Sequence, residues 1–183
     1  MSEKASSDPA SVVAFWRDAG MEKWFRKDPE FDRAIMERFD ALHTDAAAGR
    51  LNHWAETAEG ALALILLLDQ FSRNMHRGDP RAFAQDELAA SIARKVIDDG
   101  LDQEIPPDLR FFLYLPFEHS ESIVDQERSV ALFHNCAPHI LSYAKEHERI
   151  IRRFGRFPHR NPILGRHTTP AEQAFLEGGG FAG

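Results

Sequence analysis

Residues 57–73 read Thr-Ala-Glu-Gly-Ala-Leu-Ala-Leu-Ile-Leu-Leu-Leu-Asp-Gln-Phe-Ser-Arg, and this stretch decides the fold. Its first half is apolar on nearly every side, which is typical of a helix surrounded by a core. The uninterrupted apolar run, residues 61–68, is far shorter than the roughly 20 residues that a membrane span needs. The stretch therefore predicts a buried central helix in a protein with no membrane contact.

The segments on both sides of this helix carry the signals that open and close helices. Asp-Pro or Thr-Pro pairs begin at residues 8, 28, 79 and 169, and glycines follow the predicted ends. No convincing pair of strands is present. We expect an all-α fold in one domain, residues 1–183, with about eight helices packed as antiparallel hairpins. The predicted helices are 8–20, 28–49, 57–73, 79–100, 107–118, 120–135, 138–154 and a short one from 169.

Composition and charge exclude several classes of protein. The chain has 183 residues, of which 43% are hydrophobic and 28% charged, as in an ordinary globular protein. Its formal net charge of −7 disfavours general attraction to nucleic acid or to an anionic membrane surface. A single cysteine, Cys136, permits no internal disulfide, and the first residues do not resemble a secretory signal. We therefore expect a cytoplasmic protein.

Three polar clusters interrupt the helical packing pattern, and the first ends the central helix. Asp69 and Arg73 lie one turn apart on the apolar face, so an ion pair that fixes the helix end explains both. In the alternative interpretation, the helix end projects cations into a cleft that binds an anion. The ligand-binding candidates of this cluster are Arg73, His76 and Arg77.

The second cluster, Glu118-His119-Ser120-Glu121, lies at the junction of two predicted helices. Ser120 can cap the second helix, but capping does not explain an imidazole between two carboxylates. That composition is common in general acid–base catalysis and in mononuclear metal sites. His147 lies on the inner face of the last long helix, where burial lowers an imidazole pKa and favours a carboxylate partner such as Glu118 or Glu121. The catalytic candidates are Glu118, His119, Glu121 and His147.

The third cluster is a segment without acidic residues between residues 149 and 171. Its six arginines are Arg149, Arg152, Arg153, Arg156, Arg160 and Arg166. The planar guanidinium suits bidentate binding of carboxylate or phosphate, although cations are also favoured at a helix C-terminus. Two prolines stiffen the loop 156–162, and such a loop can hold binding groups in place. The ligand-binding candidates of this cluster are Arg156, His159 and Arg160.

Several common chemistries lack their sequence motifs. The chain contains no phosphate-binding P-loop, no G-x-G-x-x-G, no H-E-x-x-H and no G-x-S-x-G. Cys136 lies near His134 and His139 in the sequence, which is weak support for a cysteine nucleophile. The sequence specifies neither a metal nor a cofactor.

Long stretches around the three clusters resemble one known family. They run from Leu67 to Asn74, from Tyr114 to Glu121 and from Arg153 to Asn161, and the similarity extends through nearly the whole chain. The chain is similar in these motifs to the uncharacterised bacterial family catalogued as domain of unknown function 924. The resemblance implies a tetratricopeptide-like α-α superhelix and implies no activity, cofactor or catalytic residue. Ser72 departs from the family, in which proline is expected at this position.

Two classes of function remain open. The first is a small-molecule enzyme or binding protein whose cleft holds a phosphate- or carboxylate-bearing metabolite, with a His–Glu pair to transfer a proton or hold a divalent metal. The second is a helical-repeat adaptor that binds an acidic peptide or protein partner along a groove walled by the same arginines. RNA contact through residues 152–160 is a third, weaker alternative. An enclosed pocket where the clusters meet favours the first class, and an open groove favours the second.

Overall fold

The computed structural model describes residues 8–137 and 140–181, and within these ranges the chain is all-α, with no strand. Short 3₁₀ turns connect several of the α-helices. No helix in these ranges has the length and apolar character that crossing a membrane requires. The helices are α1 (Pro9–Ala19), α2 (Met21–Trp24), α3 (Pro29–Ala47), α4 (Ala58–Ile65), α5 (Ser72–Met75), α6 (Asp86–Asp98), α7 (Pro107–Arg110), α8 (Leu115–His119), α9 (Ile123–Cys136), α10 (Leu141–Phe154) and α11 (Pro170–Glu177).

The predicted central helix is confirmed. Helix α4 continues through a π-helical turn, Leu66–Phe71, directly into α5. Every residue from 60 to 72 is buried. Helices α1, α3 and α6 pack around this element, so the all-round apolar pattern reflects neighbours on several sides.

Three of the four predicted helix starts have the expected cap. Asp8 and Asp28 accept hydrogen bonds from backbone N–H groups of α1 and α3, and Thr169 forms a capping box with Glu172 at α11. Asp79 instead caps only a 3₁₀ turn, Pro80–Ala82. The long helix α6 starts at Asp86, later than predicted, and the Asp86 carboxylate is bound by arginines from other elements.

The chain between α6 and α10 is more broken than the sequence predicted. One helix was expected over 107–118, but α7 and α8 are separated by a 3₁₀ turn before Pro116, whose ring and missing N–H disrupt a continuing helix. Ser122 takes the N-cap position of α9, whereas the side chain of Ser120 donates to Asp125. The last long helix begins at Leu141 in the described chain, and residues 138 and 139 lie outside it.

The buried apolar side chains form two clusters of different size. The main core joins α1, α3, the central helix, α6 and the segment 105–117. The second core has Ile150, Ile151 and Phe157 at its centre, with Phe154 and Phe175 packed against them. Helix α8 belongs to the main core and also contacts α10, so its end lies between the two cores. The all-α class is confirmed, while the tetratricopeptide-like arrangement stays a prediction.

Candidate functional site

A π-helical turn in the central helix positions Asp69. In a π-turn the backbone hydrogen bonds reach one residue further than in an α-helix, and such turns are frequent at functional sites. Polar side chains bind the backbone carbonyls of this turn: Ser72 Oγ donates to the Leu68 carbonyl at 2.7 Å, and Arg73 donates to the Asp69 carbonyl at 3.1 Å. The Asp69 carboxylate is thereby held inside the protein, with a side-chain exposure of 0%.

A partner of this carboxylate from another helix is His119, at the end of α8. The His119 Nδ1 atom lies 2.6 Å from Asp69 Oδ1, and Gln70 donates to Oδ2 at 2.5 Å. Burial alone raises the pKa of Asp69, but the positive charge of Arg73 and the contact with His119 outweigh it, so the pKa falls well below its usual value. Because the carboxylate is ionised and can only accept, Nδ1 of His119 carries the proton.

The ion pair between Asp69 and Arg73 is present, at 2.9 Å, and it extends into a network. Arg73 also binds Asp86 with two hydrogen bonds of 3.0 and 3.1 Å. Arg160 donates to the same carboxylate at 3.0 Å and to the His119 carbonyl at 3.0 Å. The first and third sequence clusters therefore meet at Asp86, and both reach the second cluster at His119.

A pocket of about 310 Å³, open to solvent, lies beside this network. His119 forms part of its wall, and the His119 side chain is 16% exposed. Within the described chain, the Nε2 atom of His119 makes no hydrogen bond. The complete wall consists of Pro80, Phe83, Ala84, Asp86, Glu87, His119, Ser120, Glu121, Arg160 and Leu164.

Glu118 and His147 form a second, deeper pair of candidate residues. His147 points inward as predicted; its Nδ1 donates to the Tyr143 carbonyl at 2.8 Å and lies 3.7 Å from Glu118 Oε1. Burial, with the nearby Asp69 charge, raises the pKa of Glu118 to about 8, and burial lowers the pKa of His147 to about 4. Both groups are therefore neutral at pH 7, because burying a neutral group costs less free energy than burying a charged one.

Two further candidates, Glu121 of the second cluster and Arg156 of the third, are bound by the chain itself. The Glu121 carboxylate accepts two hydrogen bonds from Arg166, of 2.8 and 3.0 Å, and one of 2.8 Å from the Phe157 N–H. Arg156 binds Glu172 with two hydrogen bonds of 2.6 and 2.9 Å. Arg156 attaches the loop 156–162 to α11, and the Phe157 N–H attaches it to Glu121 between α8 and α9. Arg156 therefore has a structural partner, and it does not line the pocket.

Three predicted ligand-binding residues lie away from the His119 pocket or behind it. Arg77 binds Asp32 of α3, and the His76 ring contacts His43 at 5.6 Å. His159 packs against Phe157 at 5.6 Å between ring centroids, and burial, followed by the Arg160 charge, lowers its pKa to about 4. The structure therefore does not bring His76, Arg77 and His159 into the pocket wall.

A metal site needs several ligand side chains in one place. Within residues 8–137 and 140–181, no group of three or more histidine, cysteine, aspartate or glutamate side chains is arranged to hold a metal ion. Cys136 is a free, half-buried thiol, and burial raises its pKa, which disfavours the nucleophilic thiolate. His139, its sequence neighbour, lies outside the described residues.

Sequence reasoning missed two residues of the site and misjudged one. Asp86 and Phe83 form the wall opposite His119, yet each has the sequence context of an ordinary helix start. No periodicity in one sequence connects Asp86 to Arg160, which lies 74 residues further on. Asp69 was interpreted only as half of an ion pair, and its position before a predicted helix end gave no sign that it also faces His119.

Fold and site together define an all-α protein with a buried carboxylate–imidazole pair at a small pocket. The model of a family described as "Bacterial protein of unknown function (DUF924)" matches residues 12–180, and the chain belongs to this family. It is also similar to a solved structure, a protein of unknown function, ATU0120, from Agrobacterium tumefaciens. The two are 48% identical, with a TM-score of 0.90, over 93% of this chain and 97% of that one. No curated protein matches the chain.

Proposed function

We propose that this protein is an enzyme that carries out general acid–base catalysis on a small molecule, with His119 as the group that takes up the proton. The observation that carries the proposal is the hydrogen bond of 2.6 Å between Asp69 and His119 at the wall of the pocket. A carboxylate behind an imidazole fixes its tautomer and its orientation and stabilises the imidazolium that forms during the reaction.

The charge state of the pair suits a general base. Burial and the positive charge of Arg73 together lower the pKa of His119, while Asp69 partly opposes them, so the imidazole is neutral at pH 7. With the proton on Nδ1, the lone pair of Nε2 is free to accept a proton from a bound molecule. Asp69 is a positioning residue, because it acts through His119.

The groups around His119 support the proposal because their own hydrogen bonds are already made. The Asp86 carboxylate accepts three hydrogen bonds from arginine side chains. The Glu121 carboxylate accepts two from an arginine and one from a backbone N–H, so both carboxylates are fixed in position. A wall whose polar groups are fixed in this way is preorganised and loses little entropy when a ligand binds. His119 Nε2 is then the reactive atom of the pocket.

A carboxylate- or phosphate-bearing substrate is the ligand class that we propose. Arg160 lines the pocket, and it uses one N–H of each terminal nitrogen on Asp86 and on the His119 carbonyl. Each terminal nitrogen carries a second N–H, so the guanidinium keeps donors for an anionic oxygen. Asp69 and Asp86 balance the charges of Arg73 and Arg160, so binding of the anion depends on the remaining N–H donors of Arg160.

The adaptor alternative has less support. A groove for an acidic peptide was expected along the predicted arginines, but Arg73, Arg77 and Arg160 bind Asp86 or Asp32, and Arg156 binds Glu172. Arg73 and Arg160 share Asp86, whereas Arg77 and Arg156 bind carboxylates elsewhere, so all four pair with acids of the fold itself.

Chemical modification tests whether His119 is accessible. Diethyl pyrocarbonate acylates neutral imidazoles, and mass spectrometry reports the rate at each histidine. We expect His119 to react faster than the buried His147 and to be protected by a bound ligand. If His119 reacts no faster than His147, its lone pair does not face solvent, and the proposal fails.

A ligand panel tests the substrate class. Inorganic phosphate, phosphate esters and dicarboxylates are added in a thermal-shift assay, where a ligand at 100 times its Kd adds about 2.7 kcal/mol to the free energy of unfolding. We expect His119→Gln and Arg160→Lys to abolish the shift and His134→Gln, at an exposed position, to retain it. A shift of equal size in all variants would place the ligand elsewhere.

A separate measurement tests whether Asp69 positions the His119 ring. In Asp69→Asn the amide can donate to Nδ1, so we expect the imidazole to change tautomer, which nitrogen NMR detects directly. The chemical-modification rate of His119 should fall at the same time, even where the variant is folded. An unchanged tautomer in folded Asp69→Asn would mean that Asp69 has no positioning role.

A further inference from the structure

One arginine of the third cluster differs from the other five. Five of the six bind carboxylates of the chain: Arg149 binds Glu146, Arg152 binds Glu127 and Glu148, Arg156 binds Glu172, Arg160 binds Asp86 and Arg166 binds Glu121. Arg153 has no carboxylate within ion-pair distance in the described part of the chain, and it is exposed.

Two aromatic rings hold the Arg153 guanidinium in place. Its central carbon lies 4.6 Å from the ring centroid of Phe154 and 5.7 Å from that of Phe175. Cation–π contacts of this kind orient the flat group while leaving its N–H edge free to donate. Arg153 is therefore an oriented cation with no carboxylate partner among residues 8–137 and 140–181.

Arg153 lies at one end of a groove between α10 and the end of the chain. The groove has a volume of about 660 Å³ and is open to solvent. One wall is a single face of α10, formed by Ser142, Tyr143, Glu146, Arg149 and Arg153. Glu146 and Arg149 pair with each other, which leaves Arg153 as the charge of this wall without a carboxylate partner in the described chain. From residue 142 to residue 153 there are eleven residue steps, which span about 16 Å along the helix axis at 1.5 Å per residue. The groove is therefore elongated, with a length that matches about five residues of extended peptide at 3.3 Å each.

The opposite wall consists of Phe175, Phe181 and the glycines 178–180. A Cβ atom on Gly180 would lie 2.6 Å from the backbone oxygen of Phe175 and 2.6 Å from its ring, the same ring that supports Arg153. The bare backbone at Gly180 is thus required for the position of Phe175. Tyr143, with 60% of its surface exposed, adds an aromatic side chain to the first wall.

We propose that this groove binds an extended acidic peptide segment of a partner protein. A carboxylate of the peptide pairs with Arg153, and apolar side chains pack against Phe175, Phe181 and Tyr143. The charge of Arg153 favours an acidic occupant, and the length of the groove favours a peptide over a small anion. This site is separate from the His119 pocket and does not depend on the function proposed there.

Fluorescence anisotropy tests the proposal with a defined probe. The probe is a fluorescein-labelled library of pentapeptides that have Asp or Glu at three positions and Leu or Phe at the other two. The matched library carries Asn and Gln in place of the acids. We expect binding of the acidic library alone, with a Kd raised about tenfold in Arg153→Ala.

Arg152→Ala is the matched control, because Arg152 is the adjacent exposed arginine on α10 and does not line the groove. It should bind the peptides as the unmodified protein does. Gly180→Ala displaces the ring beneath Arg153 and should weaken binding while Arg153 itself is intact.

Four outcomes would overturn the proposal. The first is that no acidic peptide binds. The second is that Arg152→Ala loses as much affinity as Arg153→Ala, which would indicate general charge attraction. The third is that free succinate or phosphate binds as tightly as the peptides through Arg153, which would make this a small-anion site. The fourth is an Arg153-dependent self-association in sedimentation velocity, which would assign the groove to a second copy of the chain.

Discussion

The two cores of this protein are stabilised by different forces. The main core contains a long series of fully buried apolar side chains, including Trp16, Phe39 and Phe71. The second core buries three apolar residues, and arginine–carboxylate pairs stabilise it: Arg156 binds Glu172 within it, and Arg160 binds Asp86 of α6 outside it. Apolar burial depends little on pH, whereas a carboxylate pair is lost when the acid is protonated. The second core should therefore loosen first in acid.

The candidate site lies where the two cores meet. Asp69 comes from the central helix of the main core, while Arg160 comes from the loop of the second. The pocket geometry consequently depends on the docking of the second core onto the first. Substitutions in either core test whether apolar burial stabilises the main core and ion pairs stabilise the second.

The largest effect is expected in the main core. Phe71 is fully buried, with its ring centroid 5.1 Å from that of Phe39 and 5.5 Å from that of Trp16. Phe71→Ala removes these contacts and leaves a cavity, so we expect the free energy of unfolding to fall by about 3–5 kcal/mol. Urea denaturation measures this. Val124→Ala, at an exposed position, should change it by less than about 0.5 kcal/mol.

An intermediate effect is expected for the buried acid between the cores. The pKa of Glu118 is raised to about 8, above its unfolded value near 4.5, so between these values the folded state holds a proton that the unfolded state releases. Stability from this group is therefore full below pH 4.5 and declines as the pH rises to 8.

Glu118→Gln removes this titration. Urea denaturation at pH 5 and pH 8 should show a smaller loss of stability in the variant than in the unmodified protein. Glu104→Gln, at an exposed position, is the control and should leave the pH dependence unchanged. An identical pH dependence in all three proteins would mean that Glu118 is not a buried, protonated acid.

The smallest effect is expected in the second core. The Arg156 guanidinium, through its hydrogen bonds, lowers the pKa of Glu172 to about 2, below its unfolded value near 4.5. The folded state therefore binds fewer protons, and the stability that this pair contributes above pH 4.5 is lost as the pH falls towards 2. In Glu172→Gln this part of the acid sensitivity should disappear.

Hydrogen exchange can locate that change. At pH 3 we expect amides of α11 and of the loop 156–162 to exchange faster than those of α4 in the unmodified protein. After correction for the pH dependence of the intrinsic exchange rate, the same segments of Glu172→Gln should have similar protection factors at pH 3 and pH 6. Uniform loosening of both cores in acid would contradict the division between them.

Much of the fold and part of the site could be predicted from local signals. The run of apolar residues at 61–68 predicted the buried helix, and the caps at Asp8, Asp28 and Thr169 predicted where helices start. The inward direction of His147 followed from helical periodicity. These features depend on residues a few positions apart, which a single sequence displays directly.

The partners of the charged residues could not be predicted in the same way. The arginine-rich segment indicated anion binding, yet in the described chain most of its arginines neutralise carboxylates of the protein itself. A guanidinium has the same donors for an internal glutamate as for a substrate. Composition therefore cannot distinguish the two roles, and only the positions of the helices do.

The sequence by itself determined the all-α class, the central helix and the stretches that identify the family. Each of these depends on periodicity, helix signals or the order of residues along the chain. The tertiary structure decided that Asp69 meets His119 across 50 residues, that Asp86 joins Arg73 to Arg160, and that Arg153 is left with no carboxylate among the described residues. The physical reason is that ionic and hydrogen-bond partners are chosen by distances of about 3 Å, which arise only after the helices have packed.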